Sequence, residues 1–349
     1  MRLLIITQKI DQTDPILGFF HTWVVELAKR FENIVVICLQ KGEFDLPSNV
    51  KVFSLGKEKK NELRIKNYKL WIKKFGYIFN FYEFIWAERD NYDAVFVHMN
   101  QEYVLLGGLF WQIWGKKVFM WRNHPKGNIL TRIAVYFSDK VFYTAPNSYT
   151  ARFNKSVKMP VGVDTSVFNT ESRIMNYELS KNKILSLGRI SPVKNIHIMV
   201  EAVKILKEKN IDFVFDIVGD IANPEDFDYK KKLATDSVNF MPAVPNHQTP
   251  EMYRSHEIFI NLTESFDKTI IEAATCGALL IIANRSLVGE IDGSLITDDL
   301  SSKSVATRLE YWLKAEEDEK EKMRQKLIKY VSENHSLKML INKLCLEVS

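Results

Sequence analysis

"KILSLGRISPVKN", residues 183 to 195, reads as a strand that stops at a glycine and hands over to a helix. The run Lys183 to Leu187 is strand-like, and Gly188 permits a tight turn after it. Arg189 and Lys194 follow, and Pro192 suits the first position of a helix. Cations and a helix N-terminus gathered beyond the end of one strand form a site suited to phosphate.

The same strand-then-helix rhythm runs through most of the chain. Strand-like runs occupy 2–7, 33–39, 49–55, 93–99, 116–121 and 139–145, with helical candidates at 19–31 and 101–114. A polar, turn-rich stretch at 158–182 interrupts the pattern. A second series then follows: 183–188, 212–219, 237–241, 257–262 and 278–283, with a helix at 197–210 and charge-laced helical segments from about 302 to the end. Alternation of this kind predicts parallel sheets covered by helices on both faces. The expected fold class is α/β, two doubly wound Rossmann-like domains facing each other across a cleft. The boundaries are 1–163 for an N-terminal domain, 164–182 for a linker and 183–325 for a C-terminal ligand-binding domain. A C-terminal helix at 326–349 is expected to pack back towards the first domain. Ligands of such sheets sit beyond the carboxyl ends of the strands.

Composition agrees with a globular chain of this size. Hydrophobic residues make up 46% of the 349 and charged residues 26%, with a net charge of +5. That charge admits anionic partners but falls short of a nucleic-acid signature, so no nucleic-acid partner is expected. Cys38, Cys276 and Cys345 are odd in number and far apart, which suits a reducing cytoplasm. The N-terminus turns polar too soon for a signal peptide, and no apolar run approaches the roughly 18 residues of a membrane span. The stretch 57–86 is basic and then aromatic, "KEKKNELRIKNYKLWIKKF" running into "GYIFNFYEFIW". It suits either a helix with a buried aromatic face or one lying on an anionic membrane surface.

"ESFDKTIIEAATCG", residues 264 to 277, carries Glu264 in a loop after strand 257–262 and Glu272 about one turn into a helix that starts near Asp267 to Thr269. A hydrolytic carboxylate pair must oppose itself across a bond at about 5–5.5 or 6.5–9.5 Å, and a loop-to-helix step does not guarantee that. A ligand grip is simpler: free N–H groups at 266–268 hold a phosphate while the carboxylates accept sugar hydroxyls. Charges that merely favour the helix start are the plainer alternative.

Taken together, "LGRISPVKN", "DIVGD" (216–220), "ESFDKTIIEAATCGALLIIAN" (264–284), "PVGVDTSVF" (160–168) and "DPILGFFHTWVVELAKRF" (14–31) resemble the retaining GT-B glycosyltransferases of family 4, the glycosyl transferases group 1. The resemblance covers nearly the whole chain. It implies that Arg189 and Lys194, after Gly188, bind the donor diphosphate and serve catalysis. Glu272 is implied to bind the nucleotide ribose, and Glu264, with the backbone of Phe266, Asp267 and Lys268, to meet the donor sugar and phosphates. Gly18 is implied to let the first loop approach the diphosphate. His124, in "MWRNH", matches the acceptor-side histidine, with His98 the alternative. The implied activity is a metal-independent transferase with no cofactor, using a nucleotide-diphosphate sugar as co-substrate and a saccharide or lipid-linked acceptor. Cell-surface polysaccharide or glycolipid synthesis is the implied task.

The chain departs from the family where "ESFDK" stands for glutamate-glycine-phenylalanine-glycine, so Ser265 and Asp267 replace glycines and Lys268 becomes available to an acidic donor sugar. The family's glycine after the strand near 241 is also replaced, in "FMPAV". "DFD", Asp226 to Asp228, matches the Asp-x-Asp of metal-dependent transferases but lies in a polar helix start, so no metal site is expected. Two other functions fit the same fold: a nucleotide-sugar epimerase or hydrolase, which would consume donor without acceptor, and a non-catalytic sugar-nucleotide-binding partner subunit.

Overall fold

A computed structural model of the chain describes residues 1–14, 16–58, 68–171, 180–221 and 223–348, with the backbone alone from 68 to 74. Residues 59–67 of the basic stretch and 172–179 of the expected linker lie outside the described residues. Two compact units emerge, Met1–Met159 with Leu340–Ser349, and Pro160–Met339.

In the first unit seven parallel strands form one sheet: β1 (Leu3–Ile10), β2 (Ile34–Lys41), β3 (Val50–Ser54), β4 (Ala94–His98), β5 (Lys117–Trp121), β6 (Lys140–Tyr143) and β7 (Ser156–Lys158). Their spatial order is β3-β2-β1-β4-β5-β6-β7. Leu3, Leu4, Ile5 and Ile6 are consecutive and fully buried, so both faces of the sheet are covered. The helices are α1 (Gly18–Ala28), α2 (Tyr68–Ala87), α3 (Gln101–Ile113) and α4 (Ile129–Phe137). Phe81 and Ile85 of α2, Val104 and Trp111 of α3, and Ala134 and Val135 of α4 share one core with Leu4, Val95 and Val118. These three helices therefore form one layer, the side that right-handed crossovers moving in one direction along a sheet must take.

The second unit has five parallel strands, β8 (Lys183–Leu187), β9 (Val214–Val218), β10 (Asn239–Met241), β11 (Ile258–Asn261) and β12 (Leu279–Ile282), in the order β10-β9-β8-β11-β12. Around them lie α5 (Ile196–Glu208), α6 (Phe227–Leu233), α7 (Thr249–Arg254), α8 (Lys268–Thr275), α9 (Ser302–Lys314) and α10 (Glu317–Asn334). The last helix, α11 (Leu337–Val348), begins in this unit, and its residues from Leu340 belong to the first. The α/β class and the two doubly wound sheets agree with the sequence expectation. The strand β7 was not foreseen, because three residues on a sheet edge need no hydrophobic run.

Strand order reverses between β8 and β11, so the connections that follow them leave to opposite sides and open a crevice at their carboxyl ends. The opposite edge is closed by charge. Glu257, fully buried just ahead of β11, accepts the N–H of Asn182 at 2.9 Å and pairs with Lys320 Nζ of α10 at 2.9 Å, with Arg324 at 3.6 Å. Losing one partner of such a set leaves a buried charge exposed to its desolvation cost.

One expectation is corrected. The helix does not begin at Pro192: Pro192–Lys194 make a single 3-10 turn, Asn195 adopts a left-handed conformation (φ 54°), and α5 starts at Ile196. Asparagine tolerates that conformation, and its Nδ2 donates to the carbonyl of Leu262 at 2.9 Å, tying the turn to the end of β11.

At the crevice the ends of β8 and β9 touch through backbone. Gly188 (φ 141°) donates its N–H to Val218 O at 3.0 Å, and a Cβ at Gly219 (φ 156°) would stand 1.9 Å from the Gly188 carbonyl oxygen. No side chain fits there. Gly219→Ala should lose at least about 1–3 kcal/mol of stability from the strained φ, with the clash added. Urea unfolding measures this, and a wild-type midpoint would disprove the close approach.

Candidate functional site

The loops after β8 and β11 meet at the switch point of the second unit. The first carries Arg189 and Lys194. Arg189 is exposed and has no ion-pair partner among the described residues. Lys194 reaches across the crevice and pairs with the Asp267 carboxylate on the second loop.

Asp267 is the N-cap of α8 and accepts from the backbone N–H of Thr269 at 3.2 Å. Asn261, 3% exposed at the end of β11, sets the height of this carboxylate. Its Nδ2 donates to Asp267 Oδ2 at 3.0 Å and to Thr269 Oγ1 at 3.1 Å, while its Oδ1 accepts from Thr263 N–H at 3.0 Å. Burial alone would raise the Asp267 pKa. The Lys194 charge and hydrogen bond, with the bonds from Asn261 and Thr269, outweigh burial and lower it.

The N–H groups of Phe266 and Asp267, before α8, have no acceptor among the described residues. They lie at the positive end of the α8 dipole. Glu264 is exposed in the loop ahead of them. Glu272 lies one turn into α8, as the spacing predicted, but it is only 4% exposed. Its Oε1 faces Lys268 Nζ at 3.2 Å and its Oε2 accepts from the Tyr253 hydroxyl at 3.2 Å. Burial lowers the Lys268 pKa, and Glu272 opposes the shift without reversing it. The ammonium that the sequence offered to an acidic sugar is thus already held by Glu272.

Arg189, Lys194, Phe266, Asp267, Lys268 and Glu272 therefore belong to one unit; Gly188, Arg189 and Lys194 line one small cavity with Asn261, and Lys194 joins it to Asp267. Asn195, Asn261 and Tyr253 belong with them and were missed. Asn195 had a signal, since it directly follows Lys194 and is a residue type suited to left-handed backbone. Tyr253 had none, because only folding brings α7 beside α8.

The remaining predicted residues lie in the first unit. Gly18 is the first residue of α1, its N–H donated to Asp14 O at 3.0 Å. Lys9 holds the preceding loop through Asp11 at 2.8 Å and Asp14 at 2.6 Å. His124 is exposed after β5, its Nδ1 3.0 Å from the Lys126 N–H. His98 is interior: its ring stacks on Phe20 at 4.0 Å, and burial pushes its pKa down to about 3, so it stays neutral. At the carboxyl end of this sheet a cavity of about 480 Å³ is lined by Leu55, Tyr77, Phe81, Asn100, Glu102 and Tyr103.

Asp226 ends a 3-10 turn and receives Asn223 Nδ2 at 3.4 Å just ahead of α6, a helix start as read from sequence. Among the described residues no group of three or more His, Cys, Asp or Glu side chains is arranged to hold a metal ion.

Asp267→Asn isolates the charge of the clamp, because asparagine caps a helix as well as aspartate. The lowered carboxyl pKa makes the Lys194 pair stabilising above the unfolded value of 3.8 and lost as pH falls through the lower folded value. At neutral pH the variant should be less stable by about 1.5–3 kcal/mol. That gap should shrink below about pH 4 in unfolding curves taken across pH; a gap independent of pH would refute the clamp.

Whole-chain similarity to solved structures agrees with the fold. The chain matches a sucrose-phosphate synthase from Thermosynechococcus elongatus with a TM-score of 0.74 at 12% identity, covering 98% of this chain and 97% of that one. A glycosyltransferase from Rickettsia africae gives 0.71 at 16%, covering 99% and 98%. A UDP-forming trehalose-phosphate synthase from Burkholderia xenovorans gives 0.74 at 11%, also covering 99% and 98%. At such identities these likenesses establish the GT-B fold. By sequence, spore coat protein SA of Bacillus subtilis (strain 168) is 26% identical over 223 residues, 56% of this chain. The match spans 58% of that relative, less than two thirds of its length. Residues 168–333, a little under half of the chain, match the family model of the glycosyl transferases group 1.

Proposed function

We propose that this protein is a retaining glycosyltransferase of family 4 that moves a sugar from a nucleotide-diphosphate donor to a saccharide or lipid-linked acceptor. The observation that carries the reading is the convergence of Arg189, Lys194 and the amide groups of Phe266 and Asp267 on one crevice. Lys194 has three N–H donors and gives one to Asp267, so the others remain for a phosphate oxygen. Asp267 thereby orients the ammonium instead of silencing it.

As the bond from sugar to diphosphate lengthens, negative charge grows on the departing oxygens and the sugar becomes oxocarbenium-like. Arg189, Lys194 and the start of α8 stabilise that charge in place. Glu272, fixed by Tyr253 and Lys268, keeps lone pairs for the ribose hydroxyls, and Glu264 is free to meet the sugar. A solved relative in fold, from E. coli, is bound with UDP-2-fluoro glucose, which supports a nucleoside-diphosphate donor. The cavity of the first unit, with aromatic rings beside Asn100 and Glu102, suits the acceptor, and His124 is the acceptor-side residue of this reading. Cell-surface polysaccharide or glycolipid synthesis in the cytoplasm accords with free cysteines, two of them buried.

Arg189→Ala and Lys194→Ala should each lose on the order of 2.7–4 kcal/mol of transition-state stabilisation in kcat/KM, as removal of one oxyanion donor does. Turnover near the wild-type rate in both variants would defeat the mechanism. The donor is found by thermal stabilisation across a panel of sugar nucleotides, where saturation at a hundredfold over Kd adds about 2.7 kcal/mol. Donor consumed without acceptor would mark a hydrolase or epimerase, and binding without any turnover a partner subunit.

A further inference from the structure

The layer formed by α2, α3 and α4 buries its inner side against the sheet, yet its outer side is apolar as well. Phe75 and Phe79 of α2 are 62% and 69% exposed, Leu109 and Ile113 of α3 are 55% and 70%, and Ile133 and Tyr136 of α4 are 39% and 73%. Within each helix these positions are three or four apart, so each helix presents a stripe and not a scatter. The helices adjoin, since Tyr82 packs on Phe110 at 5.6 Å and Trp86 on Trp114 at 5.4 Å between α2 and α3. Isolated exposed apolar residues are ordinary, but parallel stripes on adjacent helices mark a surface that something covers.

Charge decides what covers it. Across the three helices the cations are Lys69, Lys73, Lys74 and Arg132, against Glu83 and Glu102. The lysines sit in the first two turns of α2, with no acidic residue before Glu83. Trp86, 55% exposed, lies under the Arg89 guanidinium at 5.5 Å, and Tyr136 ends the stripe of α4. Aromatic residues with a polar edge, aliphatic residues between them and lysine positions in the first turns of α2 match the interface of an anionic bilayer. No described helix is long and apolar enough to cross a membrane, so such a face would seat on the surface. We propose that the outer face of α2, α3 and α4 docks on an anionic phospholipid membrane. This does not depend on the donor site or on the reaction assigned to it.

Sedimentation of the full chain with vesicles tests the idea, using phosphatidylcholine alone and phosphatidylcholine mixed with phosphatidylglycerol. Binding should be strong to the mixed vesicles, weaker to the neutral ones, and reduced by salt. The double variant Phe79→Ser with Ile113→Ser should fall by about tenfold or more in binding, from the apolar area lost. Lys69→Glu with Lys73→Glu should remove the preference for phosphatidylglycerol. Unchanged circular dichroism and melting temperature confirm that these exposed changes leave the fold intact. Equal binding by wild type and the double variant would overturn the proposal, as would no binding by either. A concentration-dependent dimer that the double variant abolishes, with no vesicle binding, would overturn it in favour of self-association.

Discussion

Lys194 comes from the loop after β8 and Asp267 from the loop after β11, and their ion pair joins the two sides of the switch point. Strand order makes these loops diverge; the pair, with Asn195 bonded to Leu262 O, draws them back together. The rest of the candidate site is built on this closure. Without it, Arg189 on one loop and the open amides before α8 on the other would have no fixed distance between them. A helix N-terminus favours an anion by itself, and a cation held opposite at a constant position adds to that preference.

The second unit divides its electrostatics by end. At the amino edge of the sheet Glu257 is sealed under Lys320 and Arg324, out of reach of any ligand. At the carboxyl edge the charges are only partly satisfied: Lys194 has donors to spare, Arg189 is unpaired among the described residues, and Glu264 is exposed. The closed set holds α10 to the sheet, and the open set keeps hydrogen-bonding capacity at the crevice. Asp267, at a position where the family that the sequence resembles carries glycine, belongs to the same logic. It converts a place of close backbone approach into a side-chain cap that steers the neighbouring lysine.

The first unit distributes its hydrophobic surface unusually for a doubly wound domain. One core lies under α2, α3 and α4, and a second apolar surface lies over them. An ordinary covering helix is polar on its outer side. The adjacent exposed stripes lie on one layer of one unit, which is what a docking face requires and what core packing alone does not explain.

Local chemistry was legible in the chain itself. Each strand of the second unit falls within a residue or two of its expected run, most closely for β11 and β12, which are buried at every position. The start of α8 was also legible, since aspartate ahead of an apolar run is a cap signal. Pairings across the crevice were not. That Lys194 meets Asp267, that Tyr253 and Lys268 both engage Glu272, and that Gly219 must admit the Gly188 carbonyl are facts about residues far apart in sequence. The left-handed Asn195 also displaced a helix start that proline seemed to announce. Residue type and spacing determine which groups stand at strand ends, because those signals are local; which of those groups meet is decided by strand order and crossover direction, which only the folded chain contains.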